Sequence, residues 1–393
     1  MRGRPPAKAA VLCCLIALFV DGSARTAGAT AIRSTEPLRA HHTIKKIAPG
    51  LRLEKIVDKK TPRRIFVLKA NLEKAIAFDV ALAGASFPMR ETTTRIAKRA
   101  GAIAAVNGDF GSRSGTVTHP FAEDGELVRT SDQLGTMFAV SANEQHVDVG
   151  HAPPSITVTD ESTGRAFTVN RWNDGSPAPG EIAGSTAVGG SKYPAPSDAC
   201  SVHLAPDGPP RAAEADGIDQ RFTVDQVACR SAPMSTGSGG VVLSAPPATD
   251  EAIQLLSLQV GSSMRLRWTF GWPGVFDAIG GVPVLVSDRK IAVDPSCSSS
   301  FCRANPRTGL GVTATGRILL VVVDGRQSRW SVGATMYRLA AIMKDLGAVD
   351  AVNLDGGGSS TMVVRSKVVN RPSDGSQRKV SNAAVILPRP EGS

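Results

Sequence analysis

Two aspartates each end a short apolar run and open onto glycine, in Val321-Val322-Val323-Asp324-Gly325-Arg326 and in Val352-Asn353-Leu354-Asp355-Gly356-Gly357-Gly358-Ser359. Glycoside cleavage commonly uses such a carboxylate pair, about 5–5.5 Å apart for retention of configuration or about 6.5–9.5 Å for inversion. Gly356, Gly357 and Gly358 admit positive φ and let backbone N–H groups approach an anion or a sugar hydroxyl closely. Asp-Gly is also a common turn dipeptide, so either aspartate alone carries little information. Two of them bracketing one strand–helix–strand segment carry more.

The elements that would position this pair are legible. Ile318–Val323 is an unbroken apolar run of strand length and reads as a strand buried on both faces. Val332, Met336, Leu339, Met343 and Leu346 form one apolar stripe at helical spacing, with Ser331 as the expected N-cap and Gly347 as the stop. Val349–Leu354 reads as the second strand. If the two strands are parallel neighbours in a right-handed βαβ unit (317–354), both carboxylates face one crevice at one rim of the sheet.

A similar delivery occurs earlier, where Ala102–Val106 runs into Asn107-Gly108-Asp109-Phe110-Gly111. Segments at 64–68, 75–80 and 264–270 read as strands, and Thr92–Arg99 as a helix. Residues 140–260 are looser, with Pro, Gly and Ser crowded into 173–215, and are expected to hold short strands separated by long surface loops, a loop-rich insertion or subdomain. The expected fold is therefore α+β, a mixed β-sheet with packed helices including the βαβ unit. The domain is placed at 51–387, between a polar lead-in at 30–50 and a tail at 388–393.

At the N-terminus, Arg2, Arg4 and Lys8 precede an uncharged run from Ala9 to Val20 and then small residues. This is the pattern of a secretory signal peptide, cleaved after Ala29 or Ala24, and the run is shorter than the ~20 residues that span a bilayer. No integral membrane segment is expected after its removal, and the mature chain is expected to be secreted: extracellular, wall-associated or periplasmic. Loss of residues 1–29 removes four positive charges and one negative, taking the net charge from +10 to +7. No basic run with interleaved aromatics suggests nucleic acid. Cys200, Cys229, Cys297 and Cys302 remain, an even number in an oxidising compartment, so two disulfides are expected. Three connectivities are open. Cys200–Cys229 with Cys297–Cys302 is favoured because each pair closes a local loop. The six histidines are scattered without zinc spacing, and most are read as surface residues.

Seven motifs then occur in order: Ala-Val-Asn-Gly-Asp-Phe at 105–110, Ile-Gly-Gly-Val-Pro-Val-Leu-Val at 279–286, Arg-Thr-Gly-Leu-Gly-Val at 307–312, Val-Val-Asp-Gly-Arg at 322–326, Ser-Val-Gly at 331–333, Asn-Leu-Asp-Gly-Gly-Gly-Ser-Ser at 353–360 and Arg-Lys-Val-Ser-Asn at 378–382. Together they resemble the phosphodiester glycosidase family. The resemblance implies hydrolysis of a sugar joined through its anomeric carbon to a phosphodiester. Asn107, Arg307, Asp324, Arg326, Ser331, Asp355, Gly356, Gly357, Gly358, Ser359, Arg378 and Asn382 match its shared motifs. Asp109 departs from them, standing where members carry a second glycine, and is expected to bear on the sugar accepted.

With this resemblance, Asp324 and Asp355 are the expected catalytic pair. Arg307, Arg326 and Arg378 are candidates for the phosphate, since a guanidinium binds phosphate oxygens bidentately and stays charged. Glycine N–H groups from 356–358 and the Ser359 hydroxyl would hold phosphate or sugar oxygens, with Asn107, Asp109, Ser331 and Asn382 around the substrate. No cofactor is required, though a divalent cation (Ca, Mg or Mn) on Asp324 or Asp355 would suit a phosphodiester. The expected partner is a phosphorylated glycan or cell-wall polymer. The chain lacks a G-x-S-x-G elbow, a phosphate-binding G-x-x-x-x-G-K-[ST] loop and an H-E-x-x-H pair, which leaves serine-esterase, NTPase and zincin readings unsupported. Two alternatives stay open: a non-catalytic carbohydrate-binding protein of the same fold, and a phosphodiesterase cutting the P–O bond.

Overall fold

A computed structural model describes residues 40–389 apart from 85–86, 132–135, 193, 210, 213–216 and 231. The expected signal peptide (1–29) and residues 30–39 of the expected lead-in lie outside the described residues. Short β-branched segments outnumber helical stripes along this chain, and the described residues are correspondingly 46% strand against 9% helix. Among the described residues the α-helices are α1 (Thr93–Arg99), α2 (Asp250–Leu256) and α3 (Met336–Asp345). The expected helix-packed α+β class is thus corrected to a mostly-β protein of several sheets.

The sheet that carries Asp324 and Asp355 has eight strands, in the order His41–Ala48, Leu51–Asp58, Arg63–Ala70, Ile318–Val323, Arg307–Thr313, Ala348–Leu354, Val284–Ser287 and Lys290–Ile291. Every pair in it is antiparallel. The βαβ expectation fails here. Arg307–Thr313 lies between Ile318–Val323 and Ala348–Leu354 and runs against both, so those two share a direction without touching as neighbours. The physical reason is local: a tight turn at Thr313–Gly316 folds Arg307–Thr313 back onto Ile318–Val323 as a hairpin before α3 begins. Their C-terminal ends nevertheless reach the same rim, because two strands that oppose a common neighbour point the same way.

The unbroken Ile318–Val323 run has the expected cause. Ile318, Leu320 and Val322 enter one hydrophobic core, while Leu319, Val321 and Val323 enter another that includes Met336, Leu339 and Met343 of α3. Helix and sheet approach closely because the intervening strand carries glycine on that face: a Cβ on Gly311 would come within 2.8 Å of Met343 Cε. Helix α3 starts later than expected, at Met336. Thr335 caps it, its side chain accepting the Arg338 N–H, and Gly347 follows its end at φ 96°. Ser331 is free for another task and Val332 is outside the helix.

A five-stranded sheet packs beside the first, in the order Lys367–Val368, Met362–Val364, Ala104–Asn107, Asn382–Pro388 and Ile76–Leu82. The short strands expected in the 140–260 region are present, and most of them join into one sheet instead of standing apart between long loops. Most of the region, with Ser263–Thr269, builds a nine-stranded sheet that includes the twelve-residue strand Ile218–Cys229 and has its own core around Phe222, Leu243 and Trp268. Both favoured disulfides form. Cys200 and Cys229 face each other on paired strands, and Cys297–Cys302 closes a short loop.

Candidate active site

The rim of the eight-stranded sheet is built from three strand ends. Arg307 opens its strand opposite Val323, and Thr308 stands opposite Leu354, so Arg307 lies in register between the two aspartates that follow. Asn107, buried at the end of its own strand, fastens this rim to the second sheet. Its Nδ2 donates to the Asp355 carbonyl at 2.7 Å, and its Oδ1 accepts from Thr308 Oγ1 at 2.8 Å and from Thr361 N at 3.1 Å. The Asp355 N–H donates to the Gly108 carbonyl at 3.0 Å. Asn107 therefore places the Asp355 backbone, and all its side-chain capacity apart from one proton is used in doing so.

Asp355 lines a cavity of about 390 Å³ together with Asp109, Ser359, Ser381 and four cations: Arg90, Arg113, Arg378 and Lys379. Burial pushes the Asp355 carboxyl above the ordinary carboxylate range. The Ser359 hydroxyl and the Arg378 charge oppose that rise, while the Asp109 charge adds to it. Asp109 is buried and held from several sides. Its N–H donates to Asn382 Oδ1 at 2.8 Å, and its carboxylate accepts Phe110 N at 2.6 Å and His119 N at 2.9 Å. His119 Nδ1 lies 2.6 Å from Asp109 Oδ1. His119 is itself buried, against the surface reading of the histidines, and fits only because Gly280 has no side chain: a Cβ there would overlap the imidazole. Ser381 is buried and its Oγ has no hydrogen-bond partner, leaving a hydroxyl open on the cavity wall.

Asp324 is not among the residues that line this cavity. It is 1% exposed, and Trp330 Nε1 donates to its Oδ2 at 2.8 Å, Asn370 Nδ2 to its Oδ1 at 3.0 Å and Arg371 N to both oxygens at 3.1 Å. Burial raises this carboxyl and those donors oppose the rise. Four N–H contacts on two oxygens leave poor footing for a cation, which needs the same lone pairs. Ser331, fully buried, donates through Oγ to the Asp324 carbonyl at 2.5 Å and accepts from Arg64 N at 3.1 Å.

The arginines divide likewise. Arg307 is buried, and its guanidinium donates to the carbonyls of Ala334 (3.0 Å), Phe301 (2.6 Å) and Arg303 (2.7 Å), tying the Cys297–Cys302 loop to the rim. Burial, then the Arg326 charge, brings it down to about 10. Arg326 donates to Asn305 Oδ1 at 3.1 Å and rests against Gly357, where a Cβ would come within 3.0 Å of its Nη2. Arg378 reaches the cavity while donating to Asp374 Oδ2 at 2.7 Å, and a Cβ on Gly358 would overlap both. The glycine run therefore clears space for Arg326 on one side and Arg378 on the other.

Of the residues singled out in the sequence, the cavity brings together Asp109, Asp355, Ser359 and Arg378. Asn107, Asn382, Ser331, Asp324 and Arg307 stand behind it. Sequence reading missed His119, Ser381, Arg90, Arg113 and Lys379. Ser381 and Lys379 lie inside the Arg-Lys-Val-Ser-Asn motif, while nothing local marks the others. Among the described residues, Asp79, Asp124 and Asp277 are the grouping that could hold a metal ion, with carboxylate oxygens within 4.8 Å of one another, and none of the three lines the cavity.

Two carboxylates and four cations on one cavity wall suit an anionic ligand with hydrogen-bonding groups. The family model described as phosphodiester glycosidase matches residues 232–387, the family whose motifs the sequence resembles. The SPbeta prophage-derived uncharacterized protein YomE of Bacillus subtilis (strain 168) is 38% identical over 82 residues, 21% of this chain and 13% of that protein. The N-acetylglucosamine-1-phosphodiester alpha-N-acetylglucosaminidase of Mus musculus is 34% identical over 68 residues, 17% of this chain and 13% of that protein. The matches thus span only 13% of either relative's length. In fold, the chain is similar to a hypothetical protein from Synechocystis (TM-score 0.65, 19% identity, 86% of this chain and 62% of that one). It is also similar to a Burkholderia pseudomallei K96243 protein described as exported (TM-score 0.57, 24% identity, 83% and 74%).

Proposed function

We propose that this chain hydrolyses a sugar-1-phosphodiester by cleaving the glycosyl C–O bond, with Asp355 and Asp109 as the two carboxylates. The observation that carries the reading is their meeting in one cavity under Arg90, Arg113, Arg378 and Lys379. The raised Asp355 carboxyl suits a proton donor to the departing phosphate oxygen. Asp109, fixed in place by His119 and two N–H groups, suits the base or nucleophile on the other side of the anomeric carbon. Arg378 and its cationic neighbours neutralise the leaving phosphate, a role that matters more than protonation for so stable an anion. Ser359 and the open Ser381 hydroxyl take sugar or phosphate oxygens. Asp324 and Ser331 act at one remove, setting the Trp330 and Asn370–Arg371 segments, and Arg307 sets the Cys297–Cys302 loop.

The two disulfides, the signal-like N-terminus and a fold relative described as exported support a secreted enzyme acting on an extracellular or cell-wall glycan. No helix among the described residues is long and apolar enough to cross a membrane. The test is incubation of wild type, Asp355→Asn and Asp109→Asn with a synthetic sugar-1-phosphate diester. Wild type should release free sugar, and Asp355→Asn should fall by at least ~10³ while remaining folded. Binding without release by the wild type would leave a carbohydrate-binding protein. Reaction in ¹⁸O water placing label in the phosphate would leave a phosphodiesterase.

A further inference from the structure

Far from the Asp355 cavity, the structure places like charges side by side. Lys46 is directly opposite Arg52, and Arg52 directly opposite Lys69, on three adjacent strands. Directly opposed residues on paired strands share a face, and like charges there destabilise the sheet. Arg317 extends the row: Ile318 pairs with Ala70, so Arg317 stands one step beyond, level with Asn71. Lys74 is brought in by two packed turns, in which Asn71 N donates to the Gly50 carbonyl at 2.9 Å and Gly50, at φ 84°, lets Lys74 Cβ lie close.

These five side chains line one cleft of about 420 Å³ that includes no carboxylate and no aromatic ring. Lys69 has Glu54 at 2.9 Å, but Lys46, Arg52, Lys74 and Arg317 have no carboxylate partner among the described residues. Arg317 precedes the six-residue strand Ile318–Val323 and Asp324 follows it, so the cleft opens on the opposite rim, about 23 Å from Asp324 at ~3.3 Å per residue.

We propose that this cleft is a binding site for a flexible polymer carrying repeated phosphate groups, distinct from the Asp355 cavity. A row of cations across three strands, of which Lys69 alone has a carboxylate partner among the described residues, offers successive charges to successive phosphates, and bound phosphates relieve the repulsion that the free sheet carries. The absence of an aromatic ring from the lining argues against single-stranded nucleic acid, whose bases would need a stacking surface. The occupant is read through its backbone charge, as in a polyol- or sugar-phosphate chain.

The probe is a fluorescent poly(glycerol phosphate) oligomer, titrated against the full chain by anisotropy, with monomeric glycerol phosphate and oligo-dT as competitors. The expected result is saturable binding whose log affinity falls with log salt at a slope of about −3 for four neutralised phosphates. Arg52→Gln with Arg317→Gln should weaken it at least tenfold, Arg378→Ala less than twofold, and Arg52→Gln alone should raise the melting temperature of the free protein. Arg317→Gln, at the edge of the sheet, serves as the single variant if the pair does not fold. Absence of binding at low salt, equal binding by the Arg317→Gln variant, or binding abolished by Arg378→Ala overturns the proposal. So does tighter binding of oligo-dT, in favour of nucleic acid. Sugar release at the Asp355 cavity is scored separately, so failure of one assignment leaves the other standing.

Discussion

Replacing Asp79 by Asn should make this protein more stable at neutral pH and leave it unchanged in acid. Asp79, Glu123, Asp124 and Asp277 meet where three strands and a turn converge, and Arg99 is the cation that bears on Glu123. Burial, then the Asp124 charge, lifts Asp79 from 3.8 to about 7, opposed only by the Val80 N–H. The folded protein keeps this proton in a pH range where the unfolded chain has released it, so stability falls as pH rises from about 4 to about 7 and then levels off. Three units at 1.36 kcal/mol each give about 4 kcal/mol. Solvent access to the half-buried side chain and coupling to Glu123 and Asp277 reduce this to roughly 2–3 kcal/mol. Asn keeps the acceptor for Val80 N and removes the charge. Urea unfolding of both proteins, followed by tryptophan fluorescence with EDTA present, should show equal stability near pH 3.5 and a gap opening through pH 4–7 in favour of Asp79→Asn. A gap that is constant with pH, or a variant less stable at pH 8, would refute the reasoning.

Three further outcomes are expected. If Asp355 donates a proton, the alkaline limb of the kcat/KM profile lies above the ordinary carboxylate range, and Asp109→Asn shifts whatever activity remains to lower pH by removing a charge that raises Asp355; an unmoved limb counts against the pairing. Arg378→Ala should lose 10²–10³ in rate, an order-of-magnitude figure, on a phosphate leaving group and far less on an activated uncharged one. Arg307→Ala, which strips a donor from three carbonyls, should instead cost roughly 2–4 kcal/mol in urea unfolding. Alkylation of the folded, non-reduced mature protein should add no mass; two or more modified cysteines would contradict the Cys200–Cys229 and Cys297–Cys302 bridges.

Asp355 was legible because the information is local: an apolar strand of fixed length ends on a carboxylate and glycines. Asp324 has the same local signature, but Trp330, Asn370 and Arg371, which occupy its oxygens, come from six to 47 residues away and carry no periodic pattern. Arg307–Thr313 was visible as a motif, yet its insertion between the two aspartate strands depends on a hairpin outcompeting a crossover. The nine-stranded sheet was legible only as short strands, because the Pro- and Gly-rich segments between them carry no signal of which strand pairs with which. His119 is the hardest case. Its burial depends on the missing side chain of Gly280, 161 residues away in sequence, a fact of tertiary packing that no window around the histidine contains.

The strand Asn382–Pro388 follows all its sheet partners in sequence and lies inside the sheet, between Ala104–Asn107 and Ile76–Leu82. Until it arrives, both neighbours have an unpaired edge, and such edges invite pairing with other chains. Asn382, which accepts the Asp109 N–H, arrives with it. A chain emerging from a ribosome therefore has no assembled cavity until residues 382–388 have been made. A chain cut before residue 382 would lack both an interior strand of the sheet and the residue that seats Asp109, so such a truncation should abolish folding before it could be read as a loss of activity.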